Sequence, residues 1–425
     1  MKKSLFALAA VTAFAGAAQA QSSVTVYGIM DIAVGGYNSR IANGTTVVKQ
    51  TGLAAIDSGE QTSRLGFKGN EDLGGGASAF FTIELGLTPD AAQSINSGAT
   101  QNRQSFVGLK KNGLGDIALG TQYTVIHNAA SKTDAGNTNN MAGDLIYSSS
   151  KGNTAAGTSN GSGNGDSYTI RSNQMITLNS EVYSGFQAHA MAILNNNNST
   201  QSTTQSATGT TVIGGINNQN GWGLGLDYTW NKLFVTANYM GLTAKNPYAN
   251  VTSNGQVALK PDGTINQTPA PVYFGAGQSA ANGSNVQDNQ FYVGGTYDFG
   301  ILKAYAQYIT RKVSLQQDSG QYFKRSAEQI GVRSFITPTI EAWVSGGLGR
   351  ITGNGAINNA SGQPTANLTA WQLGSNYWLS KRTNLYAIYG QVNTSNVATV
   401  STAGAGGNPV SGNGSNYGVG VRHTF

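Results

Sequence analysis

From about residue 21 onward the chain repeats one unit: roughly ten residues in which bulky side chains alternate with small or polar ones, then a break. In VTVYGIMDIAVGG, Val24, Val26, Met30, Ile32 and Val34 share one face, and Thr25, Tyr27 and Asp31 lie on the other. GWGLGLDYTW groups Trp222, Leu224, Leu226, Tyr228 and Trp230 in the same way. WQLGSNYWL groups Trp371, Leu373, Tyr377 and Leu379. A two-residue period is the mark of a strand with one apolar face. Sixteen such segments begin near residues 24, 60, 77, 102, 116, 167, 186, 222, 233, 289, 301, 326, 340, 369, 384 and 417.

The breaks alternate in length. LGGG (73–76), NGLG (112–115), NK (231–232), FG (299–300), TPT (337–339) and SKRT (380–383) read as tight turns of Gly, Asn and Pro. The intervening breaks are long and polar: 38–59, 88–101, 123–166, 195–220, 243–288, 312–325, 352–368 and 393–416. A sheet with these connections has two unlike rims, and an even strand count brings the first and last strands to the short-turn rim. The apolar sets are rich in Trp, Tyr and Phe near segment ends, and the opposite sets carry nearly all the strand charges. Hydrocarbon cannot satisfy an open sheet edge, so a spanning β-protein must close on itself. Strands of about 9–11 residues, an even count, unlike rims and aromatic girdles fit an all-β, sixteen-stranded antiparallel transmembrane barrel. A barrel that wide is not filled by its own side chains and holds water. The final segment, NYGVGVRHTF, keeps its alternation to Phe425, as expected of a closing strand paired on both sides.

Composition narrows the classes further. Only 10% of the 425 residues are charged, against about 25% in soluble domains. After the N-terminus no apolar run is long enough for a spanning helix. There is no cysteine, which removes thiolate metal sites and disulfide scaffolds. The net charge of +6 is dispersed, without the Lys/Arg clusters of a nucleic-acid partner. Residues 1–20 read as a secretory signal: Lys2 and Lys3, an apolar stretch from Leu5 to Ala17, and Ala18-Gln19-Ala20 before the cleavage point. The mature portion, 21–425, is expected to form a single barrel domain.

Several stretches together resemble the general porins of β-proteobacterial outer membranes, over essentially the whole mature length. They are SSVTVYGIMD, SRLGFKGNEDLGGGASAFFTIE (63–84), NRQSFVGLKKNGLGDIALGTQ (102–122), GGTYDFGILKAYAQY (294–308), SNYWLSKRTNLYAIYG (375–390) and the terminal VGVRHTF. The resemblance implies a homotrimer in the outer membrane, a third external loop folded inward, and contact with outer-membrane lipid and lipopolysaccharide. It also implies that Phe425 serves as a signal to the barrel-assembly machinery.

A pore selects by its radius and by the charges at its narrowest point. The 44-residue stretch 123–166 is the expected constriction loop, with Asp134 and Asp144 in its first half. Opposite it, Arg64 and Lys68 alternate with Leu65 and Phe67 and so point inward; Arg171 and Glu84 are inward by the same rule. The resemblance implies an arginine ladder at Arg64, Arg103 and Arg171. Arg103 shares a face with Val107 and Leu109, so its place in that ladder requires a bulge or a position above the lipid band. Thr121 stands where the family often has another arginine. Further lumen charges are Lys303, Arg311, Arg333 and Arg422 against Asp31, Asp227 and Glu341. The basic excess predicts passive diffusion of small hydrophilic solutes with mild preference for anions.

Other chemistry is weakly represented. His127, His189 and His423 have no metal-ligand spacing and sit in no familiar catalytic motif; a girdle or rim position is expected for the last two. The glycine clusters GWGLG and GGLGR lie within strands with no helix following, unlike phosphate loops. No cofactor, metal or enzymatic activity is expected. The rival readings are a substrate-selective channel of the same architecture, for an organic acid, amino acid or sugar, and an exported β-rich adhesin or surface enzyme.

Overall fold

The computed structural model describes residues 23–43, 46–91, 102–147, 167–196, 199–206, 209–215, 218–245, 285–316, 319–320, 322–354, 365–398 and 409–425. The expected signal segment 1–20 and positions 148–166 of the expected constriction loop lie outside the described residues. Nineteen strands follow in chain order: β1 (Ser23–Asn43), β2 (Thr46–Asp57), β3 (Arg64–Gly74), β4 (Ala77–Gly86), β5 (Asn102–Lys111), β6 (Gly115–Tyr123), β7 (Arg171–Ser180), β8 (Phe186–Ile193), β9 (Ser199–Ser206) and β10 (Gly209–Gly215). They continue with β11 (Asn218–Trp230), β12 (Leu233–Lys245), β13 (Asn285–Asp298), β14 (Lys303–Leu315), β15 (Tyr322–Phe335), β16 (Ile340–Asn354), β17 (Thr365–Trp378), β18 (Thr383–Ala398) and β19 (Pro409–Thr424). One described helix, α1 (Val125–Thr133), follows β6.

Sixteen of these strands form a closed antiparallel ring. β1 pairs with β3, each strand pairs with the next up to β8, β8 pairs with β11, and the sequence runs on to β19, which pairs with β1. The seam is finished by reciprocal hydrogen bonds between Gly28 and Phe425, each 3.1 Å, and a Cβ at Gly28 would collide with the Phe425 ring. All sixteen anticipated segments are strands of this ring. The β3–β4 turn carries three successive glycines, Gly74 to Gly76, at φ of +80°, +60° and +76°, a left-handed run that only glycine adopts at no steric cost.

The apolar face looks outward. Val24 is 66% exposed, and Val107, Leu119, Leu224, Val344 and Val419 are likewise exposed, whereas Asp31, Glu84 and Asp227 on the opposite face are buried. An exposed apolar belt around a closed sheet has lipid as its solvent.

The structure corrects the long breaks. Much of 38–59 is the upper part of β1 paired with β2, from Ile32↔Asp57 to Asn43↔Thr46. The 195–220 break contains the β9–β10 hairpin, and β14, β15, β18 and β19 also extend well into their expected loops. β1 has 21 residues rather than about ten. The physical reason is that alternation reports the lipid boundary, while backbone pairing continues above it where both faces meet water. Ser58–Ser63, between β2 and β3, bends inward: Glu60 and Gln61 donate their backbone N–H groups to Asp31.

The interior is also less uniformly wet than the pattern implied. α1 and the residues after it rest on inward side chains, where Ile126, Ala130, Leu145 and Ile146 pack with Met175, Met240, Tyr292 and Ile309. These inner residues alternate with lipid-facing ones, so their strands carry apolar groups on both sides at this level.

Candidate pore constriction

β6 ends at Tyr123, and Thr124 caps α1 by accepting the backbone N–H of His127 at 3.3 Å. α1 buries Val125, Ile126, Ala129 and Ala130 against β11 to β14. The chain then runs along the inner wall. Asn139 and Gln372 of β17 exchange amide hydrogen bonds of 2.5 and 2.9 Å, and Ala142 donates its N–H to Asn416 of β19 at 2.8 Å. Asn140 donates to the carbonyl of Ser58, pinning the loop to the inward bend. A Cβ at Gly390 would overlap the Ala142 carbonyl, so the loop backbone lies directly on β18.

Asp134 and Asp144 sit inside this segment, both 4% exposed. Asp134 accepts backbone N–H groups of Gly136 and Thr138, and Asp144 those of Ile146 and Tyr147. Both Asp134 oxygens and Asp144 Oδ1 therefore brace the loop's own turns. Burial raises the Asp134 carboxyl, and burial together with the neighbouring Asp134 pushes Asp144 up to about 8. His127 lies beneath Tyr123, Tyr147 and Tyr168. Burial and then the nearby arginines hold its imidazole well below the ordinary value, so it is neutral at physiological pH.

The inner faces of β3, β4, β5 and β7 bring Arg64, Glu84, Arg103 and Arg171 together. Arg103 Nε lies 2.7 Å from Glu84 Oε1, and its Nη2 donates to the Tyr123 hydroxyl at 2.6 Å. Arg64 Nη1 is 3.9 Å from the same Glu84 oxygen, and Tyr27 donates its hydroxyl to the other oxygen at 3.0 Å. Arg171 stacks over the Tyr123 ring at 5.6 Å. Lys68 is exposed, with its ammonium over the Tyr27 ring. Two guanidinium groups thus hold one carboxylate, and a third stands beside them on Tyr123. Arg103 reaches its place through a bulge: Glu84 pairs with Gln104 and Leu85 with Asn102, which leaves Arg103 as the extra residue.

The remaining anticipated lumen charges are dispersed around the barrel, and most are paired. Arg333 meets Glu341 at 3.1 Å and stacks on Trp343. Arg311 grips Asp288 through Nε and Nη2, at 3.0 and 2.7 Å, with both side chains almost fully buried. Arg422 lies 3.4 Å from Glu60, and Asp227 holds Lys132 at 2.7 Å. Asp31 accepts the Tyr386 hydroxyl at 2.6 Å, and Lys303 lies over Tyr305.

Sequence reasoning missed Glu60, Lys132, Asp288 and Arg325. Asp288 falls in a stretch read as loop, yet it directly precedes the alternation NQFYVGG, and extending that register would have placed it inward. Arg325 likewise precedes the segment from 326 and shares parity with the inward Arg333, whereas Lys132 carried no such signal, because its place depends on the path of the inner segment. His189 departs from its expected girdle position: it points inward, with Nε2 3.3 Å from Asp227 and Nδ1 2.8 Å from Asn179. His423 is exposed at the short-turn rim, bonded to Thr383.

A family model described as Gram-negative porin matches residues 7–397. The chain is 26% identical over 453 residues, the full length of both proteins, to an outer membrane porin protein of Bordetella pertussis. It is 27% identical over 433 residues, again across all of both chains, to outer membrane porin protein 32 of Delftia acidovorans. Its fold is similar to that of an anion-selective porin from Comamonas acidovorans, with a TM-score of 0.62 and 20% identity over 95% of this chain and 100% of that one. A closed lipid-facing barrel, charges gathered on its inner face and a family match over most of the chain agree: this protein belongs to the Gram-negative porin family and is an outer-membrane channel for passive diffusion of small hydrophilic solutes and ions.

Proposed function

We propose that this porin conducts anions in mild preference to cations, and that the wall formed by Arg64, Arg103 and Arg171 sets the preference at a constriction completed by 123–166. The observation that carries the reading is the imbalance at Glu84, where one carboxylate faces three guanidinium groups. Guanidinium stays charged throughout the accessible pH range. An excess of fixed positive charge beside water raises the local concentration of anions. Lys68, on the same inner face, adds to the excess, while Asp134 and Asp144 are buried inside the loop and offset it little. The anion selectivity named for the Comamonas acidovorans relative supports the same sign. The homotrimer, the contacts with lipopolysaccharide and the recognition of Phe425 by the assembly machinery belong to this reading as features of the family the chain resembles.

The test is a reversal-potential measurement on single channels in planar bilayers under a tenfold potassium chloride gradient. The expected potential has the sign of an anion-preferring pore. A potential of the opposite sign would remove the assignment of the arginine wall while leaving the channel itself intact.

A further inference from the structure

Between α1 and the inner faces of β4 to β7 lies a recess of about 210 Å³. It runs from the level of the arginine wall toward the short-turn rim: β5 descends from Arg103 past Phe106 to the turn at 112–114, and Asp116 follows that turn directly in β6. The floor is low because Gly108 and Ala118 are direct partners in β5 and β6. With no side chain at Gly108, the Phe80 ring of β4 lies over its backbone, and a Cβ there would stand 2.4 Å from Phe80 Cζ. Phe80 meets Phe106 edge to face, with ring centroids 6.3 Å apart. The far edge is α1, through Val125 and the exposed Asn128.

One charged side chain lines this recess, the half-buried Asp116. Asn179, its partner across β6 and β7, donates Nδ2 to Asp116 Oδ1 at 2.8 Å. Asn179 Oδ1 is taken by His189 Nδ1 at 2.8 Å, which fixes the donor end of the amide on the carboxylate. Lys110, the partner across β5 and β6, turns instead to Glu181 at 3.3 Å. Among the described residues no cation is in ion-pair contact with Asp116, and Asp116 Oδ2 takes no donor. This sets it apart from Glu84, Asp227, Asp288 and Glu341, each of which holds a lysine or an arginine.

We propose that the recess under α1 is a binding site for a small organic cation: an ammonium on a short arm from an apolar or aromatic body. A concave site of aromatic surface with a few placed polar groups is the usual form of a small-molecule pocket. The open oxygen of Asp116 selects positive charge, and Phe80 and Phe106 offer apolar surface and ring faces that attract an ammonium. Spacing fits the two halves together. Asp116 and Ala118 are successive inward residues of β6, about 7 Å apart, so a body seated against the rings over Gly108 and Ala118 leaves its ammonium a short arm from the carboxylate. A bare metal ion is poorly served, because no second carboxylate lines the recess and Asn179 presents a donor to it. A neutral solute would leave the Asp116 charge uncompensated. The site stands on this geometry alone and is independent of the sign of selectivity set by the arginine wall.

The probe is radiolabelled phenethylamine, equilibrated by dialysis against the full chain refolded in dodecyl maltoside, with detergent alone as the blank. The wild-type chain should bind one amine above that blank. Asp116→Asn, which keeps an oxygen for Asn179, should weaken binding about tenfold or more, the worth of a hydrogen bond to a charged group. Phe106→Leu should weaken it by a smaller factor, and Asp298→Asn, at the same rim but outside the recess, should leave it unchanged. Single-channel conductance close to that of the wild type in each variant reports an intact barrel. Ethylamine and phenethyl alcohol, each carrying half of the ligand, should fail to displace the label at the concentration where unlabelled phenethylamine does. Binding to Asp116→Asn as strong as to the wild type would overturn the proposal. So would displacement by phenethyl alcohol as complete as by the amine, or no binding above the blank. Displacement by glucose would instead mark a carbohydrate site and would also overturn the assignment to a cation.

Discussion

The two sides of the lumen use the same residue types to opposite ends. On β13 to β19, with the bend before β3, three arginines meet acids one to one: Arg311 with Asp288, Arg333 with Glu341, Arg422 with Glu60. On β3 to β7, Arg64 and Arg103 share Glu84, and Arg171 beside them stacks on Tyr123 with no acid in ion-pair contact among the described residues. A matched, buried pair leaves almost no field a few ångströms away and serves to hold strands and loop in register. The unmatched wall keeps a net charge, which repels itself and draws anions. A count of arginines alone would rank the sides alike; the number of acids that meet them separates scaffold from filter.

Removing one partner from the matched side should have the largest effect. Asp288→Ala takes away the carboxylate that Arg311 grips through two nitrogens, and breaking a buried pair costs about 3–5 kcal/mol. A clearly lower thermal unfolding midpoint in detergent is the expected outcome. An unchanged midpoint would deny that these pairs hold the scaffold. The converse change, Arg103→Gln, should act on selectivity. A unit charge about 4 Å away in water is worth roughly 1 kcal/mol, close to a fivefold change in local anion concentration. The reversal potential should therefore move toward zero, and a variant as anion-preferring as the wild type would break the contrast between the walls.

The smallest expected effect lies in the loop between the walls. Asp144 has its carboxyl raised to about 8, above the unfolded value near 4. Its protonated form is favoured by the fold, so that contribution is complete below about pH 4 and fades as pH rises through about 8. Open-channel noise from loop movement should grow between pH 7 and 9 in the wild type and much less in Asp144→Asn, which keeps an oxygen for the Ile146 and Tyr147 N–H groups. Identical noise in both proteins would remove Asp144 from the loop's anchorage.

Much of this architecture is legible in the chain, for a definable reason. Lipid on one side and water on the other write a two-residue period into each of the sixteen ring strands, so Val24 to Val34 or Trp222 to Trp230 announce both a strand and its facing. Above the membrane that contrast disappears. The β1–β2 and β9–β10 hairpins therefore look like loops although their backbones are paired. Inward direction was readable for Arg64, Glu84 and Asp227 from parity alone. The partners of Glu60, Lys132 and Arg325 were not, because each depends on a fold-back of the chain that leaves no local periodic trace.

The extra residue in β5 has a consequence for how such channels diversify. Because Arg103 owes its inward aim to being the extra residue of the bulge, deletion of Asn102 alone would bring it opposite Leu85 and turn the guanidinium toward the bilayer, with the loss of one small polar side chain. Permeability in a sheet of this kind can thus be rewritten by slipping its frame, a route that counting substitutions between relatives would never detect.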